Sequence, residues 1–287
     1  MKQIVTLVAL AFTLELAAQT AVNNSSYTFS TGVQPTFSVL LENADAAMVE
    51  KWYKEQLKAV SADMAGKKEV MSIGTRLPEI SSDTIRVFLK ADQPKKAKDV
   101  TVHAAFRVNG VYVGPDSDAR QVEGCRSWMY QRAVMLKKEL AQKALDAATK
   151  QQRVLEDQLA SLVKEKDRAQ NTIEKTQGNI MDDEKAKVET DGEVVTMKTT
   201  IDAKKQDVAN SATEENTKAL QGLIKEEEKL KRKSEKLAKD IASGKKRIED
   251  LQFQIKKNLE DQDAKSKAID AQKKVVEELT TKLGAIN

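Results

Sequence analysis

The stretch ANSATEENTKA, residues 209–219, decides the fold of this chain because it separates two long segments of coiled-coil sequence. It is polar and contains asparagine, serine and threonine, the residue types that cap helix ends. Downstream of it, with heptad position a placed at Leu220, thirteen of the twenty a and d residues as far as Ile286 are apolar. A register sustained over that length is typical of a long coiled-coil helix.

The upstream segment has a heptad register of its own. Its apolar positions include Leu145, Leu159, Ile173, Ile180, Val194, Ile201 and Val208. This register places the next a residue at 215, whereas the downstream register places one at 220, so the phase breaks across 209–219. Two segments of roughly 75 residues that flank a break predict an antiparallel helical hairpin, with arms of about 110 Å and a tip near 209–219.

Two other arrangements fit the same pattern. Thr190-Asp191-Gly192 is a second candidate tip and would make the arms unequal. A nearly continuous helix of about 230 Å that dimerises is the other arrangement. Short connections between neighbouring helices favour the hairpin.

The composition of the chain changes near residue 132. All four prolines, both tryptophans, all four tyrosines and five of the six phenylalanines precede this point. The later segment is rich in Ala, Lys, Glu, Leu and Gln, as long solvated helices require. We therefore predict an α+β head domain over 33–132 and a coiled-coil stalk over 133–287.

The head reads as a small antiparallel sheet with packed helices. Strand patterns cover 37–43, 70–77, 84–91 and 100–108, and Asn109-Gly110 predicts a tight hairpin because both residues tolerate positive φ. A helix capped by Asn43 or Asp45 follows the first strand, and Asp116 or Asp118 caps the last helix. Residues 19–32 are polar and turn-prone, which indicates either a loose leader or an edge strand.

The segment EGCRSWMYQRAVMLKKEL, residues 123–140, joins the two parts. We predict one continuous helix here, with a packing stripe formed by side chains three or four residues apart. The stripe consists of Cys125, Trp128, Met129, Arg132, Leu136 and Leu140.

The sequence identifies no catalytic, cofactor-binding or metal-ligating residue. A nucleophilic site would need His103, the only histidine, together with Cys125, the only cysteine. The strand alternation places His103 on the solvated outer face, while Cys125 is expected in the core, so His103→Ala should be silent. One cysteine and one histidine cannot build a protein zinc site. The segment Gly-Pro-Asp-Ser-Asp, 114–118, lacks the further ligands of a calcium loop and fits helix capping better.

Two features of the coiled-coil half could serve binding. KLKRKSEKLAK, residues 229–239, is the most basic run; it fits a solvated coil surface, with an acidic partner or an anionic cell-wall polymer as the alternative. Polar residues interrupt the seam at Asn258, Gln262, Lys265 and Gln272. They either fix the register or mark a segment that opens to a partner, and we favour the first interpretation.

Residues 1–18, MKQIVTLVALAFTLELAA, have the layout of a secretory signal peptide: a basic start, a short apolar run and a small-residue end. This layout predicts an exported protein without a membrane span, periplasmic in a diderm bacterium. The 48 basic and 44 acidic residues nearly balance, and the resulting net charge of +4 gives no strong indication of nucleic-acid binding.

Several segments resemble an exported family of Bacteroidota that is functionally uncharacterised. The similar segments are PTFSVLLENADAAMVEKWYKEQLK, IRVFLKAD and VHAAFRVNGVYV in the head and IKKNLEDQDAKSKAIDAQKKVVEELTTKL at 255–283. The resemblance implies a signal peptide, a small α+β head and a charged coiled-coil hairpin, and it transfers no catalytic residue. This chain departs from the family in its longer middle, 180–222.

These patterns lead to an expectation about function. We expect a non-enzymatic exported interaction protein that needs no cofactor, in which a coiled-coil spacer or docking arm is attached to a small binding head. Its partners would be proteins of the cell envelope, with homo-oligomerisation through the coiled coil as a further mode. The alternative is a periplasmic holdase chaperone with helical arms.

Overall fold

The computed structural model describes residues 20–286, so the signal-peptide prediction for 1–18 lies outside the described residues. The chain divides into two compact units. Among the described residues, the head unit comprises those up to Thr149 together with the segment from Lys274, and the hairpin unit comprises Lys150–Lys273. The head unit therefore takes in helical residues that the predicted boundary at 132 assigns to the stalk.

The predicted fold class, a small antiparallel sheet with packed helices followed by a long helical hairpin, is confirmed. The elements in chain order are β1 (Val22–Phe29), β2 (Gly32–Leu41), α1 (Ala46–Lys58), β3 (Asp63–Ala65), β4 (Val70–Thr75), β5 (Ile85–Asp92), β6 (Val100–Val108), β7 (Val111–Tyr112), α2 (Ala119–Asn210) and α3 (Glu214–Ala285).

The seven strands form one sheet in the order β1-β2-β6-β5-β4-β3, and the short β7 pairs with β6. Every pairing is antiparallel. β1 is one edge of the sheet, so the sheet begins at Val22 and not at the predicted head boundary of 33. Of the two interpretations of 19–32, the structure shows the edge strand; the segment was hard to assign because its alternating pattern contains mostly small polar residues.

Local chemistry explains the turns that position these elements. Asn109 and Gly110 have φ of 49° and 87°, the left-handed backbone that a two-residue hairpin between β6 and β7 requires. Asp45 is the N-cap of α1, and its Oδ1 accepts a hydrogen bond from the Met48 amide at 2.9 Å. Asn43, the other predicted cap, instead has a positive φ of 51° in the turn before the helix.

The principal core of the head lies between one face of the sheet and the two helices α1 and α2. β6 contributes its whole predicted apolar alternation, Val100, Val102, Ala104, Phe106 and Val108, all buried. α1 packs against it through Val49, Tyr53 and Leu57, while α2 adds Cys125, Trp128, Met129, Ala133 and Leu136. Four of the six residues of the predicted stripe, Cys125, Trp128, Met129 and Leu136, are therefore in the head core. Leu140 packs against the core while partly buried, and the Arg132 guanidinium lies over the Trp128 ring.

The opposite face of the sheet differs from the prediction. It carries a second buried cluster of Phe29, Phe88 and Ala105, with Tyr27, Met71 and Tyr112 packed against it. The Tyr27 ring stacks on His103 with centroids 4.5 Å apart, so His103 is half-buried and the prediction of a solvated face is wrong at this position. The covering side chains come from β1, which lies next to β2 in the sheet and whose aromatic residues reach the β5 and β6 positions.

The hairpin unit contains the facing parts of α2 and α3. The two helices are connected by residues 211–213, inside the stretch where the heptad phase breaks. Residues 190–192, the second candidate tip, are helical, and the turn at 211–213 also excludes a single uninterrupted helix. Antiparallel contacts along the unit include Asp191 with Ser234, Glu184 with Lys245 and Gln158 with Lys265.

Candidate functional site

The two residues considered for nucleophilic chemistry are not brought together. His103 lies on the β1-covered face of the sheet, whereas Cys125 is 0% exposed in the core on the other face. Burial raises the pKa of the Cys125 thiol far above its usual value, and the nearby Glu79 carboxylate adds to this effect. A thiol held protonated in this way is a poor nucleophile, so Cys125 acts in packing.

The His103 imidazole has its own environment. Burial lowers its pKa from 6.5, and the charge of Asp92 partly opposes that change. Its Nδ1 is buried without a hydrogen-bond partner in the described part of the chain. The ring therefore serves as an aromatic surface for Tyr27, and the neutral form suits that contact.

The segment at 114–118 caps a helix. Asp118 Oδ1 accepts hydrogen bonds from the amides of Arg120 at 2.9 Å and Gln121 at 3.3 Å, at the start of α2. Ser117 Oγ accepts from the Gly114 amide at 3.0 Å. Within residues 20–286, no group of three or more His, Cys, Asp or Glu side chains is placed to hold a metal ion.

The part of α2 around Lys137 and Glu139 is attached to the head by polar contacts as well as by the core. Trp52 Nε1 on α1 donates to Glu139 Oε2 at 2.7 Å, and Lys137 Nζ donates to Thr20 Oγ1 at 3.0 Å. The hydrogen bonds from Lys143 and from Trp52 lower the pKa of the Glu139 carboxyl. Contacts on both sides of the helix hold this part of α2 in place within the head unit.

The polar residues of the α3 seam form contacts inside the hairpin. Gln262 Nε2 donates to Asn258 Oδ1 at 2.6 Å, and Lys265 Nζ crosses to Gln158 Oε1 on α2 at 2.8 Å. Next to them is a shallow groove of about 280 Å³, whose floor includes Ala169 and Ile255. The interhelical bond supports the interpretation that these residues fix the register.

A second polar contact between the helices was missed in the sequence. The Asp191 carboxylate accepts hydrogen bonds from Lys187 Nζ on the same helix at 2.5 Å and from Ser234 on α3. These bonds, the one from Lys187 first, lower the pKa of Asp191. The signal available was Ser234, a polar residue at an a position of the seam, but its partner is far away in the chain.

The outward faces of the hairpin carry exposed apolar and basic side chains. On α2, Met181, Val188 and Val195 recur every seven residues and are 70%, 73% and 66% exposed. On α3, the basic run 229–239 is exposed apart from the seam residues Leu230, Ser234 and Leu237. These two faces form the candidate interaction surface of the protein.

Comparisons with family models, with curated proteins and with solved structures find no match. Among the described residues, no helix is both long and apolar enough to cross a membrane. Functional inference therefore rests on the residues of this chain.

Proposed function

We propose that this is a non-enzymatic interaction protein in which the helical hairpin is a docking arm or spacer and the head is a binding module. One observation carries the proposal: α2 starts inside the head core, where Trp128 is 1% exposed, and continues as the first helix of the hairpin. A single helix shared by both units is a direct covalent connection between a compact module and a long exposed surface. The partners are proteins of the cell envelope.

The location belongs to the same proposal. The layout of residues 1–18 supports export, and a periplasmic location follows for a diderm source. Cell fractionation combined with N-terminal sequencing of the mature protein tests this part. Recovery from the cytoplasm with residues 1–18 intact would contradict it.

Site-specific photocrosslinking in the native host tests the docking role. A photoreactive residue is placed at Ala212 in the hairpin tip, at Val111 on the head, which is 69% exposed, and at Lys150 as a control position. We expect Ala212 or Val111 to yield a discrete adduct that Lys150 does not yield. The same adducts at all three positions, or none, would refute a dedicated docking surface.

The exposed apolar column Met181, Val188 and Val195 favours a second candidate, a holdase chaperone, because holdases need apolar surface to retain unfolded chains. The assay is suppression of aggregation of a model client at stoichiometric amounts. The triple change Met181→Gln, Val188→Gln, Val195→Gln should abolish suppression, while Asp182→Gln, Glu189→Gln, Thr196→Gln in the adjacent helical column should preserve it. Absence of suppression by the unaltered protein removes this candidate.

Homo-oligomerisation through the coiled coil stays a prediction. Multi-angle light scattering over a range of concentrations measures it directly. A mass of 31.8 kDa or slightly less, independent of concentration, would show that the hairpin helices satisfy each other within one chain.

A further inference from the structure

Cations occupy the outermost heptad position of α3 over five consecutive heptads. With a at Leu220, position f is the one that points away from the α2 partner. The f residues are Lys218, Lys225, Arg232, Lys239 and Lys246, and all five are exposed. The neighbouring c position adds Lys229 and Lys236. We call these seven residues the basic stripe.

Among the described residues, most members of the basic stripe form no ion pair. Of its members, only Lys229 forms an ion pair in the part of the chain that the structure describes, with Glu226 at 3.0 Å. Acidic residues lie at the adjacent b position on one flank, namely Glu214, Glu228, Glu235 and Glu249. Elsewhere, Lys204, Lys205 and Lys267 pair with acids on their own helix, whereas most members of the stripe do not.

The same outer position of α2 has no comparable charge. Its f residues over the facing segment are Gly178, Lys185, Gly192 and Thr199. On α3 the stripe ends where the next f residues become Phe253 and Glu260. An unbroken run of cations at the outer position therefore occurs in this segment of α3 and not in the facing segment of α2.

The geometry of the stripe limits what it can bind. It is one or two side chains wide and about 42 Å long, with neighbouring f residues about 10.5 Å apart. That separation is close to the Debye length of about 8 Å at physiological ionic strength, so the cations tolerate one another without a ligand. A polyanion that contacts several of them at once releases counterions and gains affinity from each contact.

The residues between the cations indicate which class of ligand the stripe can bind. The remaining c residues in this segment are Gly222 and Ser243, so no apolar side chain interrupts the stripe. A partner helix would need apolar seam positions to pack, and an amphipathic helix at a bilayer would need an apolar face, and the stripe supplies neither. A straight row also suits a flexible chain better than the curved backbones of a duplex.

We propose that the basic stripe of α3 binds a flexible linear polyanion. This inference is independent of the docking role proposed above. It concerns a polymer rather than a folded protein partner, and it makes the hairpin a surface along which such a chain lies.

The experiment measures binding of the full-length protein to fluorescently labelled long-chain inorganic polyphosphate over a range of salt concentrations. If all seven cations take part, log Kd should change with log salt with a slope of about 5. The variant Lys225→Gln, Arg232→Gln, Lys239→Gln should weaken binding by roughly tenfold to a hundredfold and reduce the slope by about 2.

A second triple variant controls for net charge. Lys150→Gln, Lys164→Gln, Lys185→Gln removes three cations from the f position of α2, where acidic and neutral residues interrupt them. We expect its affinity to stay within about twofold of the unaltered protein. Equal weakening by both triples, or no binding by the unaltered protein, would overturn the proposal.

Two further probes test the other ligand classes. Vesicles with anionic phospholipid and an acidic helical peptide are measured under the same conditions. Stripe-dependent binding that is tighter for either of them than for polyphosphate would assign the surface to that ligand and reject the linear polyanion. Weaker binding of both supports it.

Discussion

Cys125 shows how one side chain can look reactive in a sequence and be structural in the fold. It is fully buried against the sheet beside Trp128 and Met129, and its pKa is raised by burial. Cys125→Ser places a hydroxyl where no partner awaits it, which should lower the free energy of unfolding by about 1–3 kcal/mol and leave partner binding unchanged. Urea unfolding measures the first effect. Rapid alkylation of the native protein by a thiol reagent would contradict the burial on which the prediction rests.

Tyr53 presents the opposite case, because removing its buried hydroxyl group should stabilise the head. Its side chain is 0% exposed, and its hydroxyl has no hydrogen-bond partner in the described structure. Because an unpaired buried hydroxyl is unfavourable, Tyr53→Phe should raise the free energy of unfolding by about 1 kcal/mol. Tyr53→Leu, which also removes the ring packed near Trp128, should lower it. A destabilised Tyr53→Phe protein would show that an ordered water satisfies the hydroxyl.

His103 makes the stability of the head depend on pH. Because burial lowers its pKa in the folded state, the unfolded chain binds the proton more readily between that value and 6.5. The stability contributed by neutral His103 is therefore present above 6.5 and is lost as the pH falls below it. We expect His103→Gln to lose less stability than the unaltered protein between about pH 7.5 and 5.5. Parallel unfolding curves at the two pH values test this, and equal losses would contradict it.

At the scale of elements, three helical glycines should respond differently to the same change. A Cβ on Gly192 meets nothing within 4 Å, so Gly192→Ala should stabilise the hairpin by about 0.5–1 kcal/mol through helix propensity. A Cβ on Gly124 would lie 2.2 Å from the Glu79 carbonyl oxygen, so Gly124→Ala should destabilise the head. Gly244 is intermediate, since its Cβ would lie 2.8 Å from Ile180 Cγ1, a side-chain atom.

Thermal unfolding, followed for the unit that contains each glycine, measures the three changes. We expect the midpoint of that unit to rise for Gly192→Ala and to fall most for Gly124→Ala, with Gly244→Ala between them. Gly244→Leu should be clearly destabilising because it would place a large side chain against Ile180. If Gly124→Ala were as stable as the unaltered protein, the close approach of α2 to the loop at Glu79 would be wrong.

The same elements show which parts of the fold can be predicted from residues that are neighbours in the sequence. The heptad seam, the Asn109-Gly110 turn and the β6 alternation depend on neighbouring residues, and the structure has all three. The three-residue β3 is too short to leave a periodic signal. The cover over His103 was missed because it depends on Tyr27, an aromatic residue in a polar segment far from it in the chain. The bond between Asp191 and Ser234 was missed for the same reason.

The candidate interaction surfaces, too, are only partly visible in the sequence. The basic run 229–239 is visible in the sequence, but its significance depends on which lysines remain unpaired and on which face they lie. Met181, Val188 and Val195 fit a heptad repeat equally well as seam residues or as surface residues. Only the packing of α2 against α3 shows that they are exposed.

At the scale of the whole molecule, the two units should unfold separately. Both tryptophans, Trp52 and Trp128, belong to the head unit, so tryptophan fluorescence reports on the head alone, whereas circular dichroism at 222 nm is dominated by the helices. Ile201 is 3% exposed in the hairpin seam. Ile201→Ala should lower the free energy of unfolding of the hairpin unit by about 2–4 kcal/mol. The midpoint measured by circular dichroism should therefore fall, while the midpoint measured by fluorescence should stay unchanged.

A matched change in the head completes the test. Val102 is 0% exposed in β6, so Val102→Ala should shift the fluorescence midpoint and leave most of the helical transition in place. If each variant moved both signals together, the protein would unfold as one cooperative unit.

The turn at 211–213 also sets an order of events for a newly made chain. Contacts near it join residues close in sequence, as Lys204 and Asn216 do, whereas Gln158 and Lys265 are 107 residues apart. Closing the short loop costs less entropy, so pairing should start at the turn and advance residue by residue away from it. The segment from Lys274 belongs to the head unit, so it joins that unit only after pairing has advanced along the whole hairpin. During synthesis, the return of the end of α3 is therefore the last of these events.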